Sequence, residues 1–332
     1  MKVKYLAFDS MGVKSMCVHV RTADCSIIID PGISSEDGAF PMHFRDKVKA
    51  HLKYKRKIER AARDSKFVVI THYHWDHFMP ERNENIYRGK IMLVKNPNAD
   101  ISAPQRARAA RFFKNIHSLP EEVRFADGRR FSFGKTKIKF SPAFWHAPRE
   151  TDVGYVLMVT IDDGDERLVF TSDTGGPHMA EYARYIAGER PATIVMDGFP
   201  TYLLGGLASV QGFKKALENA VYVIQNSGAK NVILDHRLLR DYRYREMYHE
   251  FFHAASDSGV NVRTAAEIEK KEPAVIEGYK KYGPTWWSKW ERMTFRKLNS
   301  LIVNPELCEA LTAKEPLKRP LLPSGRGKNQ EP

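Results

Sequence analysis

The sequence predicts a mixed α/β fold: sheets covered by helices, with a histidine- and aspartate-rich site along one sheet edge. Three observations carry this. The first thirty residues hold three short β-type runs with no helix between them, and the second half alternates strands with amphipathic helices. Metal-ligating side chains then fall, segment after segment, at the C-terminal ends of the predicted strands.

Residues 3–9, 15–20 and 25–30 are rich in β-branched and aromatic residues and bounded by turns, which predicts an antiparallel meander ending at Asp30, before Pro31-Gly32. Residues 33–44 look like a loop, and DKVKAHLKYKRKIERAARDS predicts a surface helix with a partial apolar stripe of Val48, Leu52, Ile58 and Ala62. The apolar run FVVI returns the chain to the core and delivers THYHWDHF, residues 71–78. This octet places His72, His74, Asp76 and His77 within six residues. Alternate residues of an extended segment project to one side, so His72, His74 and Asp76 converge and His77 turns in beside them. Several imidazoles in one space favour a metal.

KIMLVK is the next strand, and ISAPQRARAARFFKNI is a helix with Pro104 in its first turn. Residues 129–141 form two strands about Gly134, after which PAFWHAP puts His146 on a loop at a strand end. YVLMVTIDDGDERLVFTSD predicts a hairpin ending at Asp173. His178 follows closely enough to overhang a site there. A strand ending at Asp197, a long amphipathic helix closed by Gly228, a strand ending at His236 and a helix over 241–258 complete the pattern. Six segments thus deliver Asp30, the octet, His146, Asp173, Asp197 and His236 to one edge.

These residues, in this order, resemble the metallo-β-lactamase fold superfamily over roughly residues 1–260: a strand-end aspartate, the HxHxDH signature, an isolated histidine, a second strand-end aspartate and a last histidine. DSMGVKSMCVHV followed by IIIDPG further resembles a mainly archaeal family of predicted metal-dependent hydrolases within it. The resemblance implies a four-layer αββα sandwich with two divalent metal ions at one edge. It implies that His72, His74 and His146 hold one metal and that Asp76, His77 and His236 hold the other, with Asp173 bridging both. Zinc suits five histidines, and iron or manganese are alternatives. Asp30 supports the octet or caps a turn, and Asp197 is placed similarly, with a structural role preferred.

Two ions about 3.5–4 Å apart share a water and lower its pKa, which makes a bridging hydroxide the nucleophile for a metal-dependent hydrolase. Neither GxSxG nor a P-loop is present. The preferred substrate is an anionic ester such as a phosphodiester. Arg237 and Arg240 follow His236 and are placed to clamp it, or to pair with Asp241 and Glu246 on the surface. Hydrolysis of a thioester, lactone or amide is the alternative. A di-iron redox protein is disfavoured by His74, where oxygen-handling versions of the fold tend to carry Glu. A non-catalytic binding protein is disfavoured by the full ligand set.

The 332 residues carry a net charge of +13, and residues 45–66 alone hold ten Lys/Arg against three Asp/Glu. That inserted basic helix could meet nucleic acid, or be a solvated helix face. The chain after 260 is expected to form a helical extension over 261–303, packed on the domain through Trp286, Trp287 and Trp290, followed by a largely disordered tail over 304–332. This tryptophan-rich segment is a candidate homo-oligomer interface. Cys17, Cys25 and Cys308 are expected as free thiols, and neither a membrane span nor a secretory signal is evident. A cytoplasmic protein is the expectation.

Overall fold

A computed structural model describes residues 1–36, 40–80, 84–147, 153–204 and 207–283. Two sheets form the framework. In the first, the strands run in the order Lys2–Phe8, Met16–Arg21, Ser26–Ile29, Phe67–Ile70, Ile91–Val94, Glu122–Phe125. The first three are antiparallel, as the meander predicts, and the remaining pairings are parallel. In the second sheet, Asn261–Arg263, Asn231–Asp235, Thr193–Asp197 and Arg167–Phe170 run parallel. Val159–Asp162, Thr136–Phe140 and Arg130–Phe133 continue it as antiparallel strands.

Side-chain alternation shows how the layers stack. On Arg167–Phe170, Leu168 and Phe170 face the core that also holds Val18, Ile29 and Val69 of the first sheet. Val169 faces the other way, into a second core with Phe213, Leu217 and Phe251 from the helices Val210–Ser227 and His249–Asp257. Ile194 and Met196 join that helical side, whereas Val195 joins the inter-sheet core. Over the first sheet lie the helices Phe44–Arg63, through Tyr54, Ile58 and Ala62, and Ala103–Ile116, through Ala109, Phe112 and Ile116. The architecture is therefore the αββα sandwich. All four residues of Phe67–Ile70 are buried, because a parallel strand inside such a stack is covered on both faces.

Some elements differ from expectation. Val48 and Leu52 are 39% and 48% exposed, and the buried stripe of their helix runs through Lys47, Tyr54, Ile58 and Ala62. The helix expected over 241–258 is broken into Tyr244–Met247 and His249–Asp257. Glu122–Phe125 is an edge strand that charge conceals in the sequence. Cys17 and Cys25 are buried free thiols, and the register Val18↔Ile29 keeps them apart.

The second sheet continues past residue 260 through Asn261–Arg263, and the amides of Ala265 and Ala266 bond Asp235 Oδ2 and Ser10 Oγ. The helix Ala274–Tyr282 then packs on the segment around Phe40. Trp286, Trp287, Trp290, Cys308 and the tail over 304–332 lie outside the described residues. Among the described residues, no helix is long and apolar enough to cross a membrane.

Candidate metal centre

The strand ends of both sheets meet at one edge, and the turns there are tight. Asp30, Ser172 and His236 have φ of 46°, 60° and 59°. Non-glycine residues in the left-handed region are held there only by surrounding structure, at a cost of order 1–3 kcal/mol each. Each lies beside or within the ligand set. Gly32 allows a close approach to the octet: a Cβ there would lie 2.1 Å from the Phe78 amide nitrogen and 2.4 Å from that of His77.

The ligating atoms of His72, His74, His146 and Asp173 all lie within 4.8 Å of one another, and those of Asp76, His77 and His236 form a second such group. Asp173 lies between the groups. Its Oδ2 is 2.8 Å from His146 Nε2, 3.4 Å from His236 Nε2 and 3.9 Å from His77 Nε2. His146 is placed by the two-residue strand Phe144–Trp145, and its amide bonds the Gly154 carbonyl at 2.8 Å.

The donor set fits divalent metal. His77 Nδ1 donates to Asp30 Oδ2 at 2.8 Å, and His236 Nδ1 donates to Asp9 Oδ1 at 2.9 Å. The opposite nitrogen of each ring, Nε2, is buried without a hydrogen-bond partner. Two such orphans would cost on the order of 1–3 kcal/mol each unless a cation used them. Protonation states agree. Burial, reinforced by neighbouring imidazoles, holds His72 and His74 well below the usual histidine range. Burial opposes ionisation of Asp76 and Asp173, but the cationic neighbours, Arg237 among them, outweigh it and keep both carboxyls low. Burial alone would lower His236, yet Asp9 and Asp173 raise it, so a cation there displaces a proton.

Asp30 is an orienting group. Besides His77 it accepts from the Thr71 amide at 2.8 Å and from Thr71 Oγ1 at 2.6 Å, so its oxygens are committed. Asp197 is structural: it accepts from Thr171 and Thr174 hydroxyls and from the amides of Gly175 and Gly176, pinning the loop after Asp173. His178 Nδ1 donates to the Thr174 carbonyl at 2.8 Å, and its Nε2 has no partner.

The two arginines separate. Arg237 Nε lies 3.1 and 3.0 Å from the two oxygens of Asp173, at the metal centre. Arg240 is not available to substrate. It is 5% exposed, with Nε 2.9 Å from Asp9 Oδ2 and Nη1 bonded to Tyr202 Oη at 3.0 Å. Nor do the arginines pair with Asp241 and Glu246; Asp241 is taken by Arg243 and Thr201. Asp9, which the sequence reading missed, links Arg240 to His236. Its signal was the strand-end rule itself, since Asp9 directly follows Lys2–Phe8.

Beside the centre lies a cavity of about 550 Å³. His146, Asp173, His178 and Arg237 line its polar part, and Phe199, Pro200, Leu203, Leu207 and Ala208 line an apolar wall. No side chain of the basic segment 45–66 lines it.

Residues 26–236 match the Beta-lactamase superfamily domain. The chain belongs to that superfamily. Within it, the chain is 35% identical over 292 residues to a UPF0282 protein of Methanocaldococcus jannaschii, covering 85% of this chain and 96% of that one. A UPF0282 protein of Methanopyrus kandleri is 34% identical over 292 residues, covering 84% and 98%. Among solved structures, a possible metal-dependent hydrolase from Veillonella parvula is similar at 15% identity and a TM-score of 0.47, covering 76% of this chain and 94% of that one. Igni18, a metallo hydrolase from Ignicoccus hospitalis, gives 14% identity and a TM-score of 0.43, covering 82% and 94%. The β-lactamase superfamily is composed mostly of metallohydrolases, and the His/Asp cluster of this member is able to hold metal.

In this superfamily member, Asp9 sets the tautomer and direction of the His236 ring. Asp9→Asn is expected to weaken metal binding about 10–100-fold while leaving the metal site's own side chains intact. A competition titration against a chromophoric chelator measures this, and unchanged affinity would remove Asp9 from the account.

Proposed function

We propose that the chain is a dinuclear metallohydrolase that cleaves a small anionic ester, with a phosphodiester as the first candidate. One observation carries the reading: Asp173, a member of one ligand group, has its Oδ2 within 3.9 Å of His77 and His236 of another, and Arg237 stands beside that carboxylate in the cavity lining. His72, His74 and His146 would hold one cation and Asp76, His77 and His236 the other, with Asp173 serving both. Five histidines favour zinc. Bound there, two such ions supply a Lewis-acidic pair and a water made nucleophilic near neutral pH.

The chain's own residues do the rest. Asp30 and Asp9 hold His77 and His236 with Nε2 facing the centre. Arg237 presents a planar cation to the charge that develops on the substrate oxygen, in a site where such a donor is worth more than in water. His178, with Nδ1 committed to Thr174, offers Nε2 as an acceptor for a substrate hydroxyl or N–H. A substrate that enters the cavity is a small molecule, because the basic helix Phe44–Arg63 contributes nothing to its lining. The apolar wall supports a second reading, hydrolysis of a thioester or lactone.

Metal-loaded protein tested against bis-aryl phosphate, aryl thioesters and lactones distinguishes these readings. Cleavage of the phosphodiester, abolished by chelation and restored by metal, is expected. Turnover of thioester or lactone with none of phosphodiester would transfer the assignment to the second reading.

A further inference from the structure

We infer that the cavity selects an ester whose scissile group carries an apolar chain or ring, the apolar part resting on the wall formed by Phe199, Pro200, Leu203, Leu207 and Ala208. This rests on the proposed hydrolase reading for which end reacts, but the wall is a separate feature.

The cavity lining has two kinds of chemistry. His146, Asp173, His178 and Arg237 supply its polar part, and Phe199, Pro200, Leu203, Leu207 and Ala208 supply hydrocarbon. A free phosphate or a short polar ester would satisfy the first and leave the second in contact with water. Leu207, 85% exposed, extends this lining to the surface. The wall is also held in place. Tyr248 Oη bonds the Phe199 amide at 2.8 Å, and the Leu203 carbonyl accepts from the amides of both Leu207 and Ala208 at 3.1 Å. Thr201 Oγ1 donates to the buried Asp241 at 2.9 Å, fixing the turn between Phe199 and Leu203.

The lining argues against a polynucleotide. Arg237 is the single cationic side chain among the described lining residues. Phosphate tracking needs a row of cations. About 550 Å³ suits a small amphiphile with one anionic or electrophilic head.

The test uses full-length, metal-loaded protein and the alkylphosphonates methyl, propyl, butyl and hexyl, which present one head with a growing tail. Calorimetry is expected to show Kd tightening about fourfold per methylene before levelling once the wall is covered. Leu207→Asp, a change at an exposed site, is expected to keep methylphosphonate affinity and lose the gain from the tail. A flat series, or a gain that persists in Leu207→Asp and Leu203→Asp alike, would overturn the inference. The matching p-nitrophenyl alkylphosphonate esters separate the two proposals. Rising affinity without metal-dependent hydrolysis would support the apolar wall and overturn the hydrolase reading. Hydrolysis with no dependence on tail length in either assay would do the reverse.

Discussion

Asp173→Ala, and separately His72→Ala, are expected to lower metal-dependent hydrolysis by more than about a thousandfold and to reduce bound metal sharply. Asp173 is expected to have the larger effect because its Oδ2 is within 3.9 Å of His146, His236 and His77. His72 belongs to the same ligand group as Asp173, and its replacement also removes the ring that packs between His74, His77 and His146. Metal analysis on the purified variants, alongside steady-state rates, separates ligand loss from unfolding when a melting curve is recorded for each. A variant that keeps both its metal and its rate would show that the residue is not a ligand.

Arg237→Ala is expected to cost about 10²–10³ in kcat/KM on an anionic ester while leaving metal content unchanged. The guanidinium is 24% exposed, so it faces the cavity and not the core, and it approaches both oxygens of Asp173. Arg237→Lys should recover part of the rate, since an ammonium keeps the charge but loses the planar fork. A purely structural role makes a different prediction: a lower melting temperature with kcat intact in whatever protein folds. Steady-state kinetics and thermal melts on the two variants decide between them.

Much of the centre was legible because it follows one rule. Where the chain leaves a strand at the shared edge, it places an aspartate or histidine, and the octet announces this most plainly because three ligand residues, His72, His74 and Asp76, alternate in it. The fold brings His146, Asp173 and His236 to the octet across sequence distances that pattern alone cannot measure. Asp9 obeyed the same rule yet went unnoticed. It stands alone in a polar turn, and its partner His236 is 227 residues away. Arg240 was misjudged for a related reason. Its neighbours in sequence are charged and suggest a surface, whereas its actual partners, Asp9 and Glu36, come from the first meander and the loop behind it. On the basic helix, Val48 and Leu52 looked like core by residue type. The turn of the helix instead buries Lys47 and Tyr54, because the face is chosen by what the sheet offers and not by apolarity alone. Glu122–Phe125 was hidden since an edge strand pairs on one side, and charged residues are tolerated there. The apolar wall of the cavity could not be read either: Phe199 to Ala208 carry no periodicity, and their significance comes from lining one cavity with Asp173 and Arg237.

The dinuclear proposal requires a pair of cations shared by Asp173. Metal quantification by mass spectrometry on protein purified without chelators, and again after reconstitution with zinc, tests it most directly. The expected result is close to two ions per chain, falling sharply in Asp173→Ala. A wild-type chain that holds no metal and cannot be reconstituted, or one whose metal content is the same with and without Asp173, would contradict the account.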